Sequence, residues 1–298
     1  MLNFPHSRKE LQQFLTINGL PLLKVFGQNF LVEEKVHQDI INAAELQSCD
    51  NVLEIGCGIG HLTQHLAPNV ANFWGVEIDE RFYPILHQYF DQYTAFHLLQ
   101  CDILSTKHTI NPMVWDTILP VISQQPYKLI ANLPYNVSAP VLVNFLESEF
   151  PPATIIVTIQ KEVAQRLLAK PGTEFYGPLT ILAQVHADIT LVRNISPQSF
   201  VPPPKVYSSV VKFVTHPVSN HIMNLEHFKN VVRSVFNMKR KTVANALKNS
   251  PFLSLEADYI ASALENASIS ATTRGETLSL EQLITLSNQL LLHSPALG

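Results

Sequence analysis

Residues 51–60, NVLEIGCGIG, constrain the fold more than any other stretch of the chain. Val52-Leu53-Glu54-Ile55 reads as a short strand. Gly56, Gly58 and Gly60 follow, and a helix is predicted from about His61 to Leu66. A glycine-rich turn between strand and helix lets the main chain approach a ligand closely and aims helix N–H groups at it. Such a unit belongs to an open, mainly parallel α/β sheet. The spacing is Gly-x-Gly-x-Gly rather than the Gly-x-Gly-x-x-Gly of dinucleotide sites. A pyrophosphate is therefore disfavoured, and a nucleoside carrying an amino-acid tail fits better.

The next predicted strand, Asn72 to Val76, ends at Glu77, 21 residues after Gly56. An acid at that distance and position can hydrogen-bond both hydroxyls of a ribose. Asp79 competes for the role, but its place ahead of a predicted helix at Glu80 suits an N-cap better. A third strand, Ala95 to Leu99, ends in Gln100-Cys101-Asp102. A carboxylate there can accept from the exocyclic amine of an adenine, or serve as a plain loop acid. In an open parallel sheet ligands sit outside the carboxyl ends of the strands, so the three ends converge on one ligand.

A fourth strand, Lys128 to Ala131, runs into Asn132-Leu133-Pro134-Tyr135. The exocyclic amine of adenine is a poor nucleophile, because its lone pair is delocalised into the ring. A site that alkylates it must hold its hydrogens and aim the lone pair. The Asn132 side-chain oxygen can accept one N–H. The Leu133 carbonyl can accept the other, since Pro134 biases the residue before it towards an extended conformation. Tyr135 offers a flat face for the base. By itself the tetrapeptide also reads as a strand-ending turn, because Asn and Pro are turn formers.

Further along, helices are expected near Met113 to Ile122, from Ala139 to Ser148 and from Gln160 to Ala169, with a strand from Thr154 to Ile159. Thr180 to Val192 and Val206 to Val214 read as two long antiparallel strands at the sheet edge. Between them lies Phe200-Val201-Pro202-Pro203-Pro204-Lys205. The prolines stiffen the segment. Phe200 is either a second stacking wall for a flipped base or a core residue beneath a linker. Residues 215–220, with Pro217, mark a boundary, giving domains 1–214 and 215–298. The second is helical, with Leu225, Phe228, Val231, Val232, Val235 and Phe236 at helical spacing. Ser279-Leu280-Glu281-Gln282 matches a capping box ahead of a last helix.

Charge narrows the partner. The net charge of −4 argues mildly against nucleic acid, yet from Lys229 to Lys248 there are six Lys or Arg and no Asp or Glu. Arg233, Lys239, Arg240, Lys241 and Lys248 can form a local phosphate-binding face on an acidic molecule. No apolar run reaches transmembrane length, and the start lacks the pattern of a signal peptide. Cys49, Cys57 and Cys101 have no metal-type spacing and read as free thiols in a reducing compartment. A cytoplasmic protein that uses no membrane and no metal is expected.

With these residues in view, the chain resembles the ribosomal RNA small-subunit adenine dimethyltransferase family (KsgA/RsmA type). The likeness covers Gly27-Gln28-Asn29-Phe30-Leu31, Glu54 to Gly60, Glu77-Ile78-Asp79, Asp102, Asn132 to Tyr135, Tyr176 to Leu179, Phe200 to Val206, Phe236 to Thr242 and Arg274 to Leu280. It implies a class I S-adenosylmethionine-dependent methyltransferase fold, a Rossmann-like α/β sheet with a small all-α C-terminal domain. It implies dimethylation of two adjacent adenosines, at N6, in the 3′-terminal hairpin of small-subunit rRNA during ribosome biogenesis. The partner would be small-subunit rRNA or the immature small subunit, met by a monomer. The resemblance places cofactor contacts at Asn29, Leu31, Gly56, Glu77, Asp102 and Asn132; the residue chemistry adds Gly58 of the glycine turn and gives catalytic roles to Asn132, Leu133, Pro134 and Tyr135, with Phe200 as the candidate second wall. Tyr207 departs from the family, which often has Asp there, and the interval from Asp102 to Asn132 is longer than usual. Rival readings are a large-subunit rRNA adenine methyltransferase of the antibiotic-resistance type, a non-catalytic assembly factor on the same scaffold, and a protein or DNA amine methyltransferase. The matches at Phe236–Thr242 and Arg274–Leu280 favour the small-subunit reading.

Overall fold

The computed structural model describes residues 4–218, 221–238 and 241–292. The chain forms two compact units. One comprises residues up to Ala164 together with Ala187–Thr215, the other Gln165–His186 and residues from His216 onward.

The first unit is built on a seven-stranded sheet. Its order is Phe96–Gln100, Asn72–Glu77, Asn51–Ile55, Lys128–Asn132, Thr154–Gln160, Ser208–Thr215, Ala187–Ile195. The first five strands run parallel and Ser208–Thr215 is antiparallel to both its neighbours. The central strands are apolar runs rather than alternating patterns, as expected of strands covered on both faces. Every residue of Asn51–Ile55 is buried, Glu54 included. A separate two-stranded pair joins Phe30–Leu31 to Phe200–Val201, antiparallel, with Leu31 opposite Phe200.

The local signals explain the turns that matter. Gly56, Gly58 and Gly60 all adopt positive φ (+76°, +57° and +98°), which L side chains rarely accept. A Cβ on Gly58 would stand 2.6 Å from the Phe30 ring, and one on Gly60 would stand 2.4 Å from the Phe90 ring. The turn is therefore fixed by sterics on two sides. The segment after Asp102 resolves into a hairpin, Leu104–Thr106 with Thr109–Ile110, and a helix, Pro112–Ile122, capped by Asn111.

The second unit is helical, with Leu225–Asn237, Val243–Lys248, Ala257–Asn266 and Leu280–Leu292 as its main elements. Ser279 and Gln282 exchange the two hydrogen bonds of a capping box at 3.0 and 3.2 Å. The helix Ala257–Asn266 is absent from the sequence reading, although Ile260, Ala263 and Leu264 supply its buried face.

Two expectations need correcting. Thr180 to Val192 is not one strand: Pro178–Gln184 is a helix and the strand is Ala187–Ile195. The run is apolar enough for either state, and Pro178 in the first turn is the start signal that decides. The pairing with Ser208–Thr215 at the sheet edge is as expected. The segment Gln165–His186, placed in the first domain on sequence grounds, groups with the helical unit. Tyr176, Ile181 and Val185 share an apolar cluster with Phe228, Val232 and Leu283, and the Tyr176 hydroxyl donates to the Leu278 carbonyl at 2.7 Å. Among the described residues no helix is long and apolar enough to cross a membrane.

Candidate active site

A cleft opens at the carboxyl ends of the parallel strands, within the first unit. One lobe is lined by Asn29, Gly56, Gly58, Glu77, Asn132 and Tyr135, among others. A second shares Gly56, Ile78 and Pro134 with the first and adds Asp102 and Ile103. The convergence expected from the three strand ends is thus realised, and the Asn132 strand supplies a fourth wall.

Glu77 ties the cleft floor together. Its Oε2 accepts the main-chain N–H of Gly58 at 2.7 Å, and its Oε1 accepts that of Asp79 at 2.8 Å. Burial pushes its carboxyl above the ordinary range, while these main-chain donors pull the other way. Beneath it, Glu54 is fully buried and accepts from the Thr63 hydroxyl at 2.7 Å. Burial raises Glu54 to about 8 against that bond, with the nearby Glu77 adding to the rise. Sequence reading passed over Glu54 except as part of a motif. Its signal is an acid inside an otherwise apolar strand.

At the other wall, Asn132 donates Nδ2 to the Asn29 carbonyl at 3.0 Å. Its Oδ1 and the Leu133 carbonyl accept no hydrogen bond from the described residues. Leu133 itself is buried, and its N–H is taken by the Thr158 carbonyl at 3.2 Å. The tetrapeptide therefore presents two unspent acceptors, as an amine clamp requires. The Tyr135 hydroxyl is 2.6 Å from the Ser208 hydroxyl, which fixes the ring's tilt. Burial raises the phenol, so it stays protonated.

The remaining expected residues divide. Asp79 is an N-cap, accepting from Arg81 N–H at 3.1 Å and pairing with the Arg81 guanidinium. Burial opposes its charge, but Arg81 and Gln28 outweigh that and hold the carboxyl below its usual value. Gln28 donates to it at 2.7 Å, a brace that no local sequence signal revealed. Asp102 is exposed, lines the second lobe and spends Oδ1 on the Leu104 N–H at 2.9 Å. Leu31 is buried in the core and its side chain does not line the cleft.

Phe200 needs correction. It is fully buried within the apolar core and does not line the cleft, so it is not a second stacking wall in this structure. Its pairing with Leu31 in the small antiparallel ladder carries the ring inward. Of the basic residues, Arg233, Lys241 and Lys248 are exposed. Lys239 and Arg240 lie outside the described residues. Lys229 belongs to the same run but is buried and paired with Glu226 at 2.9 Å.

Comparison with known proteins agrees with the geometry. The model of the ribosomal RNA adenine dimethylase family matches residues 22–286. The chain is 41% identical over 269 residues to ribosomal RNA small subunit methyltransferase A of Lachnoclostridium phytofermentans, covering 89% of this chain and 90% of that one. Among solved structures it is similar to a dimethyladenosine transferase from Plasmodium falciparum, with a TM-score of 0.70 and 27% identity over 85% of this chain and 94% of that one. It also shares its fold with the 23S rRNA methyltransferase ErmE, with a TM-score of 0.64 over 88% of this chain and 99% of that one. At 21% identity that second likeness speaks for the fold alone. The α/β methyltransferase sheet expected from the sequence is the one observed. With a family match over most of its length and a relative 41% identical over 89% of the chain, the chain belongs to the ribosomal RNA adenine dimethylase family.

Proposed function

We propose that this protein is an S-adenosylmethionine-dependent enzyme that dimethylates N6 of two adjacent adenosines in the 3′-terminal hairpin of small-subunit rRNA. The observation that carries the reading is the pair of unspent acceptors at Asn132 and Leu133, set beside Tyr135 and opening on the same cleft as Glu77. The closest chemical fit to that arrangement is an adenine held by its amine.

The cleft suits the proposed cofactor. Nothing lies closer than 3.8 Å to where a Cβ on Gly56 would stand, so its main chain is bare to the ligand. Glu77 is positioned for ribose hydroxyls, Asp102 for an adenine amine, and Asn29, Gly58 and Asn132 for the remaining contacts. Leu31 would contribute through its main chain. When bound, S-adenosylmethionine supplies an electrophilic methyl group. The chain's own part is positioning: Asn132 and the Leu133 carbonyl hold the target amine, Pro134 keeps that carbonyl aimed, and Tyr135 stacks on the base. No strong general base is required, because the amine becomes acidic as its new N–C bond forms and can give its proton to solvent.

Arg233, Lys241 and Lys248, with Lys239 and Arg240 of the same run, would meet RNA phosphates. We place the protein in the cytoplasm, acting as a monomer on the immature small subunit. The test is methyl transfer from labelled S-adenosylmethionine to small subunits lacking the modification, with large subunits in parallel, read by mass spectrometry of the digested RNA. Dimethyladenosine at two adjacent positions of the small-subunit hairpin supports the reading. Label only in large-subunit RNA would move the assignment to the antibiotic-resistance type. No label in either, with the cofactor bound, would favour an assembly factor.

A further inference from the structure

Away from the cleft, three side chains point their donor atoms at one spot. Glu34 and His37 stand one turn apart on the helix Glu34–Ala44, and His65 lies on the helix Thr63–Leu66 that follows the glycine-rich turn. Nδ1 of His37 is 3.7 Å from Oε2 of Glu34, and Nε2 of His65 is 3.5 Å from the same oxygen. All three donor atoms lie within 4.8 Å of one another.

These separations are long for hydrogen bonds, which close at about 2.7–3.2 Å. They are near the distance between two ligands of one ion. With bonds of about 2.0–2.1 Å, adjacent ligands of tetrahedral zinc stand roughly 3.3 Å apart. The polar accounting points the same way. Nε2 of His65 is buried with no hydrogen-bond partner, a state that buried polar atoms normally avoid. His61 is stacked on His37 at 6.3 Å between centroids and bonds the Pro5 carbonyl through Nε2 at 3.0 Å; its Nδ1 is also buried without a partner, but neither nitrogen joins the group formed by Glu34, His37 and His65.

We propose that Glu34, His37 and His65 form a site for a single first-row divalent cation, with zinc the best match. Two imidazole nitrogens and one carboxylate suit zinc, cobalt or nickel better than calcium or magnesium. The Glu34 side chain is 61% exposed, so water can complete the shell. The ion is structural. It clips the helix after the glycine-rich turn to the helix Glu34–Ala44 and touches no residue of the cleft. The cysteines play no part. The pattern is hard to see in sequence, because Glu34-x-x-His37 is a common surface spacing and the third ligand lies 28 residues further on.

The test uses the full chain, stripped with chelator and titrated with Co²⁺, a zinc surrogate whose tetrahedral sites absorb visible light. The wild type should take up one equivalent, lose the band to Zn²⁺, and melt at a higher temperature with Zn²⁺ than without. Glu34→Gln and His65→Gln should each weaken Co²⁺ binding at least tenfold and abolish the melting shift, while the metal-free circular dichroism stays as in the wild type. Two variants at partly exposed side chains guard against simple misfolding of one. No band from the wild type at micromolar Co²⁺ would overturn the proposal. So would undiminished binding in both variants, or an intense thiolate charge-transfer band that disappears in Cys49→Ser.

Discussion

The side-chain amide of Asn132 donates to the main-chain carbonyl of Asn29, 103 residues away in the chain, at 3.0 Å. A carbonyl can only accept, so this bond decides which end of the amide faces which way. It leaves Oδ1 as the end offered to a substrate. The Asn29 loop thereby presets one half of the proposed amine clamp.

Asn132→Ala removes both the acceptor and the tether. Methyl transfer is expected to fall at least about a hundredfold, with RNA binding near the wild-type value. Asn132→Asp separates the two roles. It keeps an acceptor but sets a carboxylate against the Asn29 carbonyl, so it should fail as well. Single-turnover transfer measures both, and a wild-type rate in the aspartate variant would mean that the tether is dispensable.

In the proposed mechanism Tyr135 acts through its ring face, and its hydroxyl, bonded to Ser208, sets the ring's tilt. Tyr135→Phe keeps the ring and loses the 2.6 Å bond to Ser208, a loss of about 0.5–1.5 kcal/mol in orientation. Tyr135→Ala removes the platform, and base stacking is worth about 1–3 kcal/mol. The expected order of activity is wild type, then Tyr135→Phe, then Tyr135→Ala, with Ser208→Ala close to the phenylalanine variant. Equal activity in the alanine and phenylalanine variants would remove stacking from the account.

Gly58 and Glu77 form one device, since the glycine's N–H is held by the acid at 2.7 Å. Gly58→Ala meets both the positive φ and the Phe30 ring, so a destabilisation of more than about 1 kcal/mol is expected. Glu77→Gln has only one oxygen for the two main-chain donors that Glu77 now accepts. It should lower stability by about 1–3 kcal/mol and weaken cofactor binding. Chemical denaturation and calorimetric titration report the two effects. Unchanged cofactor affinity in Glu77→Gln would take the acid out of the ribose contact.

Much of this was legible because the chemistry lies at strand ends, where short motifs carry it. Strand, glycine turn and helix are local, and so are the acids at Glu77 and Asp102 and the tetrapeptide at Asn132. What failed to show was decided by contacts far away in sequence. Phe200 reads equally as a stacking wall or a core ring until its pairing with Leu31 turns it inward. Thr180 to Val192 has the apolar content of a strand; Pro178 starts a helix there, and burial against Phe228 and Val232 holds that helix in the other unit. Lys229 belongs to an acid-free run, yet Glu226, one turn before it, neutralises it. The bracing of Asp79 by Gln28 spans 51 residues and no spacing rule reaches it.

Glu54 makes the stability of the first unit depend on pH in a stated direction. The folded protein holds this carboxyl at about 8, chiefly through burial, whereas an unfolded chain releases the proton near the ordinary value of about 4.3. Between those two values the folded state binds more protons than the unfolded state. Stability from this group is therefore complete below about pH 4.3 and declines as pH rises towards 8. Each unit of separation is worth about 1.4 kcal/mol, and relaxation of the buried site will reduce the sum to a few kcal/mol. Glu54→Gln imitates the protonated acid and can still accept from Thr63, so it should remove this decline. Urea unfolding midpoints of the two proteins, measured from pH 5 to 9, should converge at the acid end and separate at the alkaline end, with the glutamine variant the more stable. Parallel curves would mean that Glu54 is ionised in the folded protein and that its charge is met by a partner other than Thr63.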